Sequence, residues 1–328
     1  MRAQSHRGQA RGGLIRQPRE STDVSAFLLM RFFELVLPTI TQAIDEGAAR
    51  LKASNIEHER RTAGVLLAHV LDVDRTHLLI NSAEQVREED YAVYLRFVER
   101  RAAGEPLQYI TGHQEFYGLD FVVNPAVLIP RPETEFLVER VINLGNDSME
   151  SPLIADVGTG SGCIAISAAV TLPSARVIAT DISTAALEVA RRNAARHDVA
   201  NRIEFIQGDL LDPLAILRLE NSVDVLASNP PYVNEGRPDL IQREVRDWEP
   251  REALFGGDDG LEFYRRLLAD GLKFVKSGGF LVCEIGYSQL DSITKIITAL
   301  EWELVDVTRD LQGIPRTITL RNQSYADI

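Results

Sequence analysis

The sequence is poor in the residues that staple, anchor or clamp a chain. Its two cysteines, Cys163 and Cys283, both sit inside apolar runs, G-C-I-A-I and F-L-V-C-E-I. That rules out a disulfide framework or a metal-binding cysteine spacing and points to buried thiols in a reducing compartment, the cytoplasm. No uninterrupted apolar stretch approaches the roughly 20 residues of a membrane span. Residues 27–40 come closest, and Arg31, Glu34 and Pro38 interrupt them. Positive charge is also scarce: 35 Lys and Arg stand against 48 Asp and Glu, a formal net charge of −13. Such a balance argues against gripping a phosphate backbone by bulk charge, so neither nucleic acid nor a membrane is expected as partner.

What is present is ample core material, 45% hydrophobic over 328 residues, enough for two domains. Residues 1–26 stand apart as a basic tail, with arginines at 2, 7, 11, 16 and 19 and little that could build a core. Its Arg-rich, acid-poor composition fits a disordered extension, an over-called start or a transit peptide, and the missing apolar segment excludes a secretory signal. From 27 to 104 apolar residues recur at helical spacing, as in Leu35, Ile40, Ala43, Ile44 and again in Tyr91, Tyr94, Leu95, Val98. This segment reads as a small helical domain ending at Gly104-Glu105-Pro106. Residues 105–130 change to aromatics, β-branched residues and turn signals, which predicts a linking β-hairpin packed by His113, Phe116 and Tyr117.

From 131 to the C-terminus strands and helices alternate. Strands are predicted at 153–157, 176–180, 203–207, 223–228, 279–285, 303–308 and 316–321, with helices near 162–171, 184–197, 261–276 and 287–299. Strands separated by helix-length segments give βαβ crossovers and a mostly parallel α/β sheet. The last two strands are joined too briefly for a helix and predict an antiparallel edge hairpin.

Chemistry gathers where these strands end. The first runs into Asp156-Val157-Gly158-Thr159-Gly160-Ser161-Gly162, a turn whose glycines let backbone approach a ligand at a helix N-terminus. The second ends on Asp181, placed to accept from two ribose hydroxyls. The third ends Gln207-Gly208-Asp209-Leu210, where Asp209 could accept from an exocyclic adenine amine and Leu210 could pack on the ring. A nicotinamide fold reads G-x-G-x-x-G; here Gly158, Gly160 and Gly162 alternate, behind an acid two residues earlier. The fourth strand ends Ser228-Asn229-Pro230-Pro231-Tyr232-Val233. Neither proline has an N–H to offer, so the exit is locked at little entropic cost. The Asn229 side-chain oxygen and the Pro230 carbonyl can take both hydrogens of a planar NH2 group, with Tyr232 as a flat face beside it. Holding an amide this way turns its nitrogen lone pair toward a methyl donor, which is catalysis by positioning.

The glycine loop, with its preceding acid, looks like that of class I S-adenosylmethionine methyltransferases, whose Rossmann-like sheet this would be. Residues 30 to 322 resemble the HemK/PrmC-type glutamine-N5 methyltransferases. The matching stretches are Pro106–Gly112, Leu128–Glu135 (L-I-P-R-P-E-T-E), Asp156–Gly162, Asn229–Tyr232 and Trp248-Glu249-Pro250. The resemblance implies that the loop 156–162 and Asp181 hold S-adenosyl-L-methionine, with Asp209, Leu210 and Asn229 beside it. It implies further that Asn229-Pro230-Pro231-Tyr232 holds the glutamine of the Gly-Gly-Gln loop of class I peptide chain release factors, which the helical domain docks. This chain has Leu210 where relatives often carry an aromatic, and Phe116 is a candidate for the substrate's surroundings. N-P-P-Y is shared with N6-adenine and N4-cytosine nucleic-acid methyltransferases, the main rival, which the acidity of the chain disfavours. An idle fold kept for docking is the other rival, and the intact loop, Asp181 and N-P-P-Y disfavour it.

Overall fold

The computed structural model describes residues 37–148, 150–237 and 241–323. The basic tail 1–26 and the start of the helical segment, 27–36, lie outside the described residues.

Four helices open the described chain: α1 (Ile40–Ala53), α2 (Glu59–Leu71), α3 (Arg75–Ile80) and α4 (Glu88–Ala102). Thr39 and Gln42 close a capping box at the start of α1, each side chain accepting from the other's backbone N–H, a device typically contributing about 1 kcal/mol. Leu51, Leu66, Leu67, Tyr94 and Val98 are fully buried in a core of these helices' own. Gly47 makes that core possible. A Cβ there would lie 1.9 Å from the Tyr94 hydroxyl oxygen, which instead reaches the Ala43 carbonyl at 3.1 Å.

A short helix, α5 (Leu107–Thr111), leads into the hairpin of β1 (His113–Phe116) and β2 (Leu119–Val122). Its turn is Tyr117-Gly118, both at positive φ (52° and 72°), as a two-residue hairpin connection requires. The hairpin does more than link. Phe116 and Phe121 are buried in the core of the large sheet, and Asn193 clamps Val122 through both its backbone groups (2.7 and 3.0 Å).

The large sheet has seven strands in the order β5-β4-β3-β6-β7-β9-β8. They are β3 (Leu153–Val157), β4 (Arg176–Asp181), β5 (Ile203–Gln207), β6 (Val223–Ser228), β7 (Val275–Glu284), β8 (Trp302–Arg309) and β9 (Pro315–Asn322). β3 to β7 run parallel, whereas β9 is antiparallel to both neighbours, the predicted edge hairpin. Helices α6 (Thr134–Ser148), α7 (Cys163–Thr171) and α8 (Thr184–Arg196) precede and connect the first strands; α9 (Asp212–Ile216), α10 (Arg243–Trp248), α11 (Glu262–Phe274) and α12 (Leu290–Ile297) follow.

Both faces of the sheet are covered, so its central strands read as unbroken apolar runs. On β6, Val225 and Ala227 face the cluster of α6–α8, and Leu226 faces that of α11 and α12.

The short helices α5, α9 and α10 were not among the predicted elements, and there are three larger departures. Helix α6 was not anticipated; its Leu137, Val138, Val141, Ile142 and Leu144 are buried against β6, β7 and β9, a role only the folded sheet creates. β7 begins at Val275, four residues early. α12 begins at Leu290, because Tyr287-Ser288-Gln289 form a turn in which Ser288 takes φ 63° and the Gln289 side chain accepts from Gly286 N. Among the described residues no helix is long and apolar enough to cross a membrane.

Candidate active site

Strand order reverses between β3, flanked by β4, and β6 on its other side. Ligands of open α/β sheets bind outside the carboxyl ends of the strands at such a switch point. The register aligns Val157 with both Thr180 and Ser228, so Gly158, Asp181 and Asn229 leave the sheet side by side. A cavity of about 940 Å³ opens there.

One wall is the glycine loop. Gly158 and Gly160 adopt φ of 75° and 56°, and a Cβ on either would meet no protein atom within 4 Å. The space a side chain would occupy is left to the cavity. Gly162 differs: its Cβ would come 2.8 Å from Ile166 Cδ1 and 3.2 Å from Ala190 Cβ. It serves the packing of α7 on α8 and does not line the cavity. Asp156 is likewise behind the wall. Fully buried, its Oδ2 accepts from the Thr159 hydroxyl (2.6 Å) and from Ala165 N (3.1 Å), so it shapes the loop from beneath. Burial pushes its pKa up to about 7.

Asp181 ties the next strand to that loop. Its Oδ2 accepts from Gly160 N (2.8 Å) and its Oδ1 from Ser183 N (2.9 Å). Burial raises its pKa, and these backbone donors oppose the rise. Asp209 lines the cavity but is already engaged, since Arg266 Nη2 donates to its Oδ2 at 2.5 Å; Oδ1 remains for a ligand. Leu210 lines the wall at φ 46°. Ile182, not anticipated from sequence, lines it too with 59% of its surface exposed. Its place directly after the strand-end acid Asp181 was the available signal; its exposure is visible only in the fold.

The other wall is the β6 exit. The Ser228 hydroxyl donates to the Val157 carbonyl (2.7 Å) and fastens the two strand ends together. Asn229, Pro230 and Pro231 line the cavity. Backbone bonds from Val233 N to Leu254 O and from Gly256 N to Val233 O, both 2.8 Å, hold the exit from outside. Gly256 permits the approach: a Cβ there would lie 2.5 Å from the Pro231 carbonyl oxygen. Tyr232 does not line the cavity. It packs against the core beside α11 and α12, its carbonyl accepts from Gln289 Nε2 (3.1 Å), and burial pushes its phenol pKa upward. Phe116, also a candidate, is in the core at 2% exposure, edge-on to Phe121.

The resemblance stretches 128–135 and 248–250 meet here. Glu249 is buried and accepts from Ile129 N (3.1 Å) and Arg131 Nη2 (2.5 Å). It thereby fixes Pro130, Arg131 and Thr134 along the cavity rim. Behind the rim, Arg101 of α4 donates to Glu244 of α10 at 2.6 Å, tying the helical bundle to the segment after the exit.

Comparison with known proteins places the chain in a family. A profile of the PrmC N-terminal domain matches residues 42–112, and one of the methyltransferase small domain matches residues 132–247. A release factor glutamine methyltransferase of Koribacter versatilis is 43% identical over 283 residues, covering 86% of this chain and 98% of that protein. One of Moorella thermoacetica is 46% identical over 262 residues, covering 80% and 90%. Among solved structures, the hMettl16 catalytic domain in complex with an MAT2A 3′UTR hairpin superposes with a TM-score of 0.51 at 18% identity, over 74% of this chain and 84% of that one; at that identity the likeness concerns the fold alone. The chain belongs to the release factor glutamine methyltransferase, or HemK/PrmC, family.

Proposed function

We propose that the protein transfers the methyl group of S-adenosyl-L-methionine to the side-chain amide nitrogen of the glutamine in the Gly-Gly-Gln loop of class I peptide chain release factors, in the cytoplasm. The observation that carries this reading is the pairing of two unlike walls: a backbone cradle open for a nucleoside ligand faces an exit stiffened by two prolines without N–H and bearing Asn229.

The cavity suits the cofactor. Gly158 and Gly160 leave room for close backbone approach, and the Asp181 carboxylate is placed to accept from ribose hydroxyls. Ile182 and Leu210 offer apolar surface for the purine, and the free Oδ1 of Asp209 an acceptor for its amine. Bound there, S-adenosylmethionine supplies an electrophilic methyl group.

Asn229 Oδ1 and the Pro230 carbonyl accept the two amide hydrogens of the glutamine and turn its nitrogen toward that methyl. When the N–C bond forms, the methyl–sulfur bond of the donor would break with its electron pair staying on sulfur, and the nitrogen would shed one proton, finally to solvent. Among the described residues no histidine or lysine lines the cavity, in keeping with a reaction driven by positioning. Tyr232 supports the exit from the core side. The bundle α1–α5 docks the protein substrate: it contributes nothing to the cavity wall, and it exposes Leu79 and Ile80 on α3 at 69% and 75%.

The test is labelled methyl transfer with a purified class I release factor, its Gly-Gly-Gln to Gly-Gly-Glu variant and unmethylated DNA offered side by side. Label in the unaltered factor alone is expected. Label in DNA, or equal label in the glutamate variant, overturns the reading.

A further inference from the structure

A hydrogen-bonded chain runs from the cavity into the core through three separate segments. Asn229 Nδ2 donates to Thr134 Oγ1 at 3.2 Å, and the Thr134 hydroxyl donates to Glu284 Oε2 at 2.6 Å. The sheet register creates this juxtaposition. Ser228 of β6 pairs with Cys283 of β7, so the next residues, Asn229 and Glu284, emerge side by side under the first residue of α6. Thr134 and Glu284 are 2% and 3% exposed. Glu284 does not line the cavity; anything it does there, it does through Thr134.

An asparagine amide has nearly the same shape whichever way round it sits, so Asn229 alone does not decide whether oxygen or nitrogen faces the cavity. A carboxylate carries no hydrogen, and a threonine hydroxyl carries one. With Glu284 ionised, Thr134 commits its hydrogen to Glu284 and can only accept from Asn229. Nδ2 is then held against Thr134, and Oδ1 is left for the substrate.

We propose that Glu284 is a positioning residue that, through Thr134, fixes the amide of Asn229 with its oxygen toward the substrate, so that the site takes an NH2-bearing side chain and refuses an isosteric carboxylate. The proposal rests on the amide-methylating reading of the cavity.

Its consequence is a pH dependence. Burial is the largest influence on Glu284 and, with Glu133 beside it, raises the pKa to about 7; the Thr134 hydroxyl, Arg316 of β9 and Arg131 of the rim oppose that rise. Tyr232, Tyr264 and Cys283 also face it, and burial keeps each of them protonated there. Above this pKa Glu284 can only accept, and the chain points one way. Below it Glu284 donates to Thr134, whose own hydrogen is freed for Asn229 Oδ1, and the amide can turn. The competent orientation is therefore enforced at higher pH and lost on acidification.

The experiment is single-turnover methyl transfer to a release factor at saturating cofactor between about pH 6 and 8.5. It compares the parent, Thr134→Val, Thr134→Ser, Glu284→Gln and Asn229→Ala. Cofactor affinity, melting temperature and calorimetric binding of Gln- and Glu-bearing Gly-Gly-X peptides with S-adenosylhomocysteine are read in parallel. The parental rate is expected to rise several-fold through about pH 7, and Glu284→Gln to flatten that rise. Thr134→Val should lose about 10- to 100-fold in rate and most of the preference for the Gln peptide, with cofactor affinity kept; Thr134→Ser, which restores the hydroxyl, should recover to within roughly threefold. A Thr134→Val rate near the parent's, with Asn229→Ala inactive, overturns the relay and leaves the site reading standing. So does a pH profile identical in parent and Glu284→Gln. Loss of cofactor affinity in Thr134→Val also overturns it, because that marks a merely structural role. A near-parental rate in Asn229→Ala sinks the site reading itself.

Discussion

Strands β3 and β6 are hydrogen-bonded neighbours, and Val157 and Ser228, their last residues, are paired in register. Yet they leave the sheet by opposite means. β3 exits through glycines at positive φ, flexible in principle, whose N–H groups are largely spent within the protein. Gly158 and Thr159 donate to the Thr180 carbonyl, Gly162 to the Thr159 carbonyl and Gly160 to Asp181, so what the loop offers a ligand is close approach. β6 exits through two prolines, rigid and without N–H, braced by backbone bonds to residues 254–256. An open glycine cradle with the Asp181 carboxylate beside it suits a ligand that must be held and released intact. A ledge of a proline carbonyl and an oriented amide oxygen suits a group whose hydrogens must be turned away from an attacking lone pair. Affinity for the cofactor and competence for transfer should therefore be separable by mutation, and substitutions at Asn229, Asp181, Asp209 and Arg266 test that separation.

The largest effect belongs to the ledge. Asn229→Ala removes one of two acceptors inside a largely desolvated site, a loss worth roughly 2–4 kcal/mol of transition-state stabilisation, or about 30- to 1000-fold in rate. Cofactor affinity should change little, because the cradle lies on other strands. Asn229→Asp is no remedy: it lacks the Nδ2 hydrogens that Thr134 receives and sets a carboxylate beside Glu284. Single-turnover transfer with parallel calorimetry checks the pair. If Asn229→Ala lowered cofactor affinity as much as rate, the two walls would not be functionally distinct.

How much of this contrast could be read in the sequence follows from the range of the contacts involved. The strands and both exits were legible because period, turn residues and prolines act locally. Asp181 was legible as a strand-end acid for the same reason. The packing of Gly162, Asp156 and Tyr232 behind the cavity wall was not, since a residue's side of a loop is decided by the helix or core that packs on it. Thr134 and Glu284 were invisible as partners, being 150 residues apart and brought together only by the packing of α6 against β6 and β7. Glu284 still left a trace, an acid inside the apolar run F-L-V-C-E-I, where a lone buried carboxylate needs a partner.

Next in size is the cradle. Asp181→Ala should weaken S-adenosylmethionine at least tenfold, since a carboxylate bonded to hydroxyls contributes typically about 1.5–3 kcal/mol. The rate at saturating cofactor should fall far less than in Asn229→Ala. The structure adds a cost without ligand: Gly160 N and Ser183 N lose their acceptor, so the ligand-free protein should also melt earlier, by about 1–3 kcal/mol if both donors stay buried. The raised pKa of Asp181 sets the sign with pH. Ribose binding uses the ionised form, so affinity declines on acidification sooner than for an ordinary aspartate. Calorimetry across pH decides the matter, and unchanged affinity in Asp181→Ala would remove it from the cradle.

The smallest effect lies at the outer rim of the cradle, where Arg266 holds Asp209. Both side chains are 41% exposed, and ion pairs in that setting contribute about 0–1 kcal/mol. Arg266→Ala should therefore shift cofactor affinity by less than about fivefold, and the shift should shrink in high salt as screening weakens the pair. Asp209→Ala removes the pair and the acceptor together. If its Oδ1 takes the adenine amine, it must cost more than Arg266→Ala, and replacing the cofactor by an analogue without that amine should erase the difference. Equal losses for the two substitutions, with no dependence on the amine, would reduce Asp209 to a rim charge and leave purine recognition to the apolar surfaces of Ile182 and Leu210.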